Sequence, residues 1–343
     1  KVRIITRTEP PVEMQDWRQI LADSFRDGER LLSYLDIPVD KALKAGHPAL
    51  TFPLLVPRPF ADQMIRGELD DPLLRQVLPI ASETYASDLP GYSIDPLGER
   101  QTNIRPGIIH KYQGRVLMLA ATGCAVNCRY CFRRHFDYAD NRLSREERKS
   151  ALDYIRADAS ISEVILSGGD PLMLQDTALA ELIEAIDEIS HVRRIRIHTR
   201  LPVVIPQRLT PELQKALSHT RTDNAMVLHV NHPNELTTLH AERLCELRNS
   251  GITLLNQSVL LKGVNDDIVI LAELSEKLFT MGVLPYYLHL PDKVEGTQHY
   301  FVDDKDATAL YLGVREQLPG YLVPQLVREV PGDPYKRPHP VLA

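Results

Sequence analysis

Val116-Leu-Met-Leu-Ala-Ala121 runs directly into Thr122-Gly-Cys-Ala-Val-Asn-Cys-Arg-Tyr-Cys131, an apolar stretch of strand length followed by a loop carrying three of the four cysteines. Five more short apolar runs follow, at 164–167, 195–199, 225–230, 252–259 and 283–290. Between them lie helix-period segments at 144–157, 176–189, 211–218, 235–249 and 268–281, several opened by Ser, Asp or Thr as capping candidates. This is repeated βα structure. Parallel βα units either fan into an open sheet or curl into a barrel, and six are too few for the usual eight-stranded ring. The expected fold is therefore α/β, a partial open (β/α)6 TIM-like barrel. Residues 1–110 read as an N-terminal helical region, with an amphipathic stretch at Trp17, Ile20, Leu21 and Phe25 and a turn-rich segment at 53–59. The barrel core is 111–290. A C-terminal segment, 291–343, holds a helix at about 304–317, a strand-like 321–327 and a proline-rich tail.

In such folds chemistry collects where strands end, because the βα loops vary while the sheet stays rigid. The strand ends here are polar. In order they bring the cysteine loop, Ser167-Gly168-Gly169-Asp170, then His198 and Arg200, then His229, Asn231 and His232. Asn256 and Gln257 lie in the fifth run, and the sixth leads to His289 and Asp292. Functional groups from six strands at one mouth point to an enzyme rather than a scaffold.

The formal charge, 40 Lys+Arg against 46 Asp+Glu, gives −6 and argues against non-specific binding to nucleic acid or an anionic membrane. There is no apolar run near the ~18 residues of a spanning helix, and residues 1–11 lack a signal-peptide core. A cytoplasmic location is expected. The cysteines suit metal ligation in a reducing compartment better than a disulfide framework.

Cys124, Cys128 and Cys131 are spaced C-x3-C-x2-C on one loop. Three thiolates on a four-iron cluster leave one iron open to a ligand, whereas electron-transfer clusters use four. The bland alternative is a Cys3His zinc site completed by His135, although zinc loops usually pair C-x2-C knuckles. Cys245, beside Leu244 and Leu247, reads as a core cysteine.

With Tyr130 before its last cysteine, the loop resembles that of the radical S-adenosylmethionine (SAM) superfamily, which implies a 4Fe–4S cluster whose open iron binds the SAM amino and carboxylate groups. The resemblance extends from about Asp70 to Pro338, to the lysine 2,3-aminomutase family. It is carried by Asp71-Pro-Leu, Pro106-Gly-Ile-Ile-His-Lys-Tyr, the cysteine loop with Arg133-Arg134, Ser167-Gly-Gly-Asp-Pro-Leu and Arg200-Leu-Pro-Val-Val-Ile-Pro. His229-Val-Asn-His-Pro-Asn-Glu, Leu255-Asn-Gln-Ser-Val-Leu-Leu-Lys-Gly-Val-Asn-Asp and Pro285-Tyr-Tyr-Leu-His continue it. Such enzymes use SAM together with pyridoxal 5'-phosphate (PLP) to move the lysine amine from Cα to Cβ, the cofactor supplying the electron sink.

The resemblance implies a set of roles. Tyr130, Ser167, Gly168, Gly169, Asp170, His229 and Gln257 fall on the SAM side. Lys336, in Pro331-Gly-Asp-Pro-Tyr-Lys336, matches the imine-forming lysine, though the family's glycine-rich run before it is here Gly-Asp-Pro-Tyr. Lys111, Tyr112 and Arg115 match positions that hold the PLP phosphate and ring, the first usually arginine. Arg133 matches the residue that forks the substrate carboxylate, which suits its planar bidentate donors. Asp292 and Glu329 match the acidic pair around the lysine ammonium, the second being aspartate in free-lysine enzymes.

Free-lysine aminomutases carry a C-terminal extension with zinc-binding cysteines. This chain ends at Ala343 without them and resembles the shorter branch, whose members convert (S)-α-lysine to (R)-β-lysine for attachment to elongation factor P by a separate ligase. A degradative or osmolyte-forming aminomutase is the alternative within the family. A non-catalytic metal-cluster regulatory protein is the alternative from another class. The resemblance also implies an electron donor such as flavodoxin or ferredoxin; a homo-oligomer is left open.

Overall fold

The computed structural model describes residues 15–47, 54–84, 90–137 and 143–340. Residues 1–11, Pro53 and Ala343, each used in the reading above, lie outside them. One ten-stranded sheet runs in chain order, β1 (Asn103–Arg105), β2 (Ile108–Tyr112), β3 (Arg115–Ala121), β4 (Glu163–Gly168), β5 (Arg194–Thr199), β6 (Asp223–His229), β7 (Thr253–Val259), β8 (Leu284–His289), β9 (Gln325–Arg328) and β10 (Arg337–Pro338). Every pairing from β3 to β9 is parallel. The order ends at β1 and β10 without closing a ring, so the sheet is the expected open, partial barrel, with β3–β8 as the six anticipated strands.

Both edges were less legible. β1 and β2 form a hairpin ahead of β3, turning at Gly107 with φ 79°, where a stretch read as helical was expected. Three- and five-residue strands of mixed polarity carry no period-2 signal strong enough to read. β9 begins later than expected, because Gly320–Leu322 is a 3₁₀ turn. β10 folds back antiparallel on β9, placing Arg337 opposite Arg328 and so Lys336 near Glu329.

The crossover helices are α6 (Arg145–Ala157), α7 (Asp176–Asp187), α9 (Pro211–Ser218), α10 (Thr238–Asn249) and α11 (Ile268–Thr280), the short α8 (Leu201–Val204) following β5. Ser144 and Glu147 close a capping box on α6, Thr210 caps α9 and Asp267 caps α11. Each buries a stripe such as Leu179, Leu182, Ile183 and Ile186 of α7 against strand residues including Leu166, Ile195 and Ile197. At about 1.5–3 kcal/mol per buried large aliphatic side chain, this layer fixes the sheet whose upper ends carry the site. Short N-terminal helices α1 (Trp17–Ala22), α2 (Gly28–Tyr34), α3 (Val39–Lys44) and α4 (Arg58–Ala61) pack beside it, and α5 (Glu99–Thr102) leads into β1. α1 is pinned by the fully buried Arg208, which lies 4.7 Å from the Trp17 ring and donates to Leu172 O and Asp176 Oδ1, each at 2.7 Å. The last helix, α12 (Asp304–Gln317), packs on α11. Among the described residues no helix is long and apolar enough to cross a membrane.

Candidate active site

A cavity of about 600 Å³ opens at the C-terminal ends of the parallel strands, and every residue given a cluster, SAM, PLP or substrate role by the resemblance lines it, whereas His135, Asn231, His232 and Asn256 do not. The cysteine loop follows β3 and is tied down on its outer side, Asn127 N donating to Leu55 O at 3.1 Å and Arg129 N to Gln76 O at 2.9 Å. Arg129 and Arg134 also pair with the buried Glu83, Arg134 at 2.9 Å. Against the inner side sits Ser167-Gly168-Gly169-Asp170. Gly169 N donates to Ala121 O at 2.9 Å and Asp170 N to Gly123 O at 2.8 Å. A Cβ on Gly168, whose φ is 130°, would stand 2.1 Å from Ala121 O, and one on Gly169 2.2 Å from Gly123 O. These glycines are therefore required by the close approach of the cysteine loop itself, not only by room for a ligand. Asp170 is wholly engaged in binding its own chain: its carboxylate accepts from Leu172, Arg200 and Leu201 N and lies 2.7 Å from Thr199 Oγ1.

Burial, followed by Cys131, Asp170 and Cys128, pushes the Cys124 thiol well up, and burial with Cys128 raises Cys131 to about 11. The raised Cys124 and Cys131 thiols become thiolates readily only around a bound cationic centre. Among the described residues no three His, Cys, Asp or Glu side chains converge as one metal ion requires, and His135 Nε2 lies 3.2 Å from Glu295 O. A cluster taking one thiolate per iron fits this donor set better than the zinc alternative.

Tyr130, within the loop, stacks on His229 with ring centroids 5.6 Å apart, and its hydroxyl lies 2.8 Å from His229 Nε2. Asn231 Nδ2 donates to the same hydroxyl at 2.8 Å; Arg200 Nη1 donates to it too, and to Cys128 Sγ at 2.8 Å. Burial and Arg200 lower His229 to about 3, so its imidazole is neutral. Gln257 is paired in register beside His229. The Arg200 side chain, whose strand-end position the sequence marked but whose role it did not give, is held by Gln76 at 2.7 Å and Glu235 at 3.3 Å.

The other wall is a chain of alternating charge. Arg133 forks Glu99, Nε to Oε2 at 2.7 Å and Nη2 to Oε1 at 2.9 Å, and Nη1 reaches Ser167 Oγ at 3.1 Å. Lys111 Nζ lies 3.3 Å from Glu99 and 2.9 Å from Glu329, and Lys336 Nζ donates to Glu329 at 2.9 Å. Burial opposes the charge of Glu329, but Lys336 and Lys111 outweigh it and hold the carboxylate well below its usual range. Asp292 has the opposite fate: burial, then Glu329, raise it to about 7. Tyr112 lies under the Arg115 guanidinium at 4.5 Å. Glu99 was missed by the sequence reading, because an acid in an irregular N-terminal stretch carries no periodic or motif signal. His198 also lines the cavity, with a buried Nε2 that has no hydrogen-bond partner among the described residues; burial, then Arg196, lower it well below its usual range. The cations Lys111, Arg115 and Lys336 with this open nitrogen suit a phosphorylated aldehyde cofactor in donor chemistry.

The radical SAM superfamily model matches residues 118–274. The L-lysine 2,3-aminomutase of Haemophilus influenzae is 48% identical over 335 residues, covering 98% of each chain, and that of Escherichia coli is 46% identical over 98% of this chain and 97% of its own. The L-lysine 2,3-aminomutase of Clostridium subterminale is 35% identical, with 95% of this chain and 78% of that protein aligned. Cluster-ligand spacing, open barrel and near full-length identity converge, and the chain belongs to the L-lysine 2,3-aminomutase family of radical SAM enzymes, isomerases that use a 4Fe–4S cluster and SAM.

Proposed function

We propose that this chain converts (S)-α-lysine to (R)-β-lysine, with PLP bound at Lys336, and that the product serves the β-lysylation of elongation factor P. The observation that carries the reading is the single cavity with Cys124, Cys128 and Cys131 on one wall and Lys336, Lys111 and Glu329 on the other. Bound there, PLP would supply an electron sink for the migrating amine.

The chain's own residues supply binding and orientation. Arg133 offers a guanidinium to the substrate carboxylate, while Asp292 and Glu329 offer carboxylates to the side-chain ammonium, which buried alone would cost several kcal/mol. Lys111, Tyr112 and Arg115 hold the cofactor's phosphate and ring. Tyr130, Ser167, Gly168, Gly169, Asp170, His229 and Gln257 form the SAM side, several through the loop packing described above. A reduced flavodoxin or ferredoxin delivers the electron that starts each turnover. Residues 1–110, 111–290 and 291–343 are proposed as an N-terminal region carrying α1–α5 ahead of the β1–β2 hairpin, a catalytic core and a cofactor segment. The greater likeness to the Haemophilus influenzae and Escherichia coli enzymes, 48% and 46% against 35% for the clostridial one, supports a role shared with the first two.

The reading is tested in a host that modifies elongation factor P, by deleting the gene for this chain and following the factor's intact mass. Loss of the β-lysyl mass, restored by added (R)-β-lysine, is the expected outcome. A factor that stays modified, or one that exogenous β-lysine does not restore once uptake is verified, favours the degradative or osmolyte role.

A further inference from the structure

Glu99 opens α5, 4% exposed, and its backbone N–H is fixed by Asp95 Oδ1 at 2.9 Å. Its carboxylate touches two residues assigned to different ligands. Arg133, on the cluster side, is gripped through two nitrogens at 2.7 and 2.9 Å, and Lys111, on the cofactor side, lies at 3.3 Å. Resting on the functional reading above, we infer that Glu99 is a positioning residue for the isomerisation: one buried carboxylate fixes the substrate-side guanidinium and the cofactor-side ammonium relative to one another.

The arrangement differs from generic packing in three ways. Glu99, Arg133 and Lys111 all line the cavity, so the links lie where ligands bind. The chain continues through Glu329 to Lys336, so a displacement of Lys111 reaches the lysine that carries the cofactor. A bidentate fork also sets the plane of the guanidinium, which a single contact would leave free to turn. Burial opposes the charge of Glu99, but Arg133 and Lys111 hold it below the usual carboxylate range. Without that charge the buried Arg133 and the half-buried Lys111 would be two cations with no carboxylate between them. They would attract anionic ligands more strongly while losing their fixed geometry, and reaction rates depend steeply on such geometry.

The test uses the full-length enzyme carrying Glu99→Gln, which keeps the shape and removes the charge. The kcat for lysine is expected to fall roughly thirtyfold or more with KM unchanged or lower. PLP titrated by absorbance into the PLP-free protein is expected to bind at least as tightly as to wild type. Glu99→Asp, which restores the charge on a shorter arm, is expected to recover at least about threefold of the lost kcat. If Glu99→Gln does not fold, Glu99→Asp is read against wild type for a smaller fall in kcat, roughly tenfold, at unchanged KM. A kcat within about threefold of wild type, a loss lying wholly in KM, PLP binding weakened about tenfold, or no recovery in Glu99→Asp overturns the assignment. A wild-type control that makes no β-lysine would instead refute the functional reading.

Discussion

Asp292→Asn is the most informative single change, because the wild-type carboxyl is raised to about 7 by burial and by Glu329 while Lys336 and Lys111 pull it down. A lysine ammonium needs the ionised form. Protonation neutralises Asp292, so kcat/KM for lysine should fall as pH drops through 7, approaching a tenfold loss per unit in the acid limb. His229, lowered to about 3, and His198 and His289, both well below their usual range through burial, remain neutral across this window and do not produce the limb. In Asp292→Asn the limb should vanish. If one desolvated ion pair of at least about 2 kcal/mol is lost, kcat/KM at pH 8 should drop roughly thirtyfold or more. The assay is anaerobic lysine turnover from pH 5.5 to 8.5, with iron content and PLP absorbance measured on each sample. An Asn variant with wild-type kcat/KM, or one that keeps the limb near 7, would refute the placement of the ammonium against Asp292.

Cys128→Ala should lose both the cluster and SAM cleavage, since one of three ligands and the Arg200 contact disappear together; retained iron with full cleavage contradicts the ligand assignment. Lys336→Ala should assemble the cluster yet show no PLP absorbance and form no β-lysine, and borohydride trapping of PLP on another lysine would count against it. Gly169→Ala puts a Cβ 2.2 Å from Gly123 O and should destabilise the fold by about 2 kcal/mol or more, read as a lowered melting temperature with poor cluster loading. A variant as stable as wild type would show that the two loops are not packed as described.

Much of this was legible in the sequence because it depends on local pattern. The six runs from 116 to 290 became β3–β8, since strands buried on a parallel sheet are apolar and evenly spaced by capped helices. The cysteine spacing pointed to an open-iron cluster because the ligands are adjacent in sequence. What escaped depends on three-dimensional approach. β1 and β2 are too short for their pattern to show, and β10 exists only because the chain turns back on β9. The resemblance put the two glycines on the SAM side, but the atoms nearest a Cβ there are the carbonyls of Ala121, at the end of β3, and Gly123, in the cysteine loop. Glu99 meets Arg133 across 34 residues and Lys111 across an irregular stretch that carries no periodic signal, and only the folded site shows that Lys336 and Lys111 share Glu329.

The central claim is tested most directly by anaerobic reconstitution with iron, sulfide and PLP, followed by turnover of (S)-α-lysine with SAM and a reductant and chiral chromatography of the product. The account predicts (R)-β-lysine together with 5'-deoxyadenosine that has exchanged hydrogen with lysine Cβ. SAM cleavage by the intact cluster with lysine recovered unchanged would contradict it.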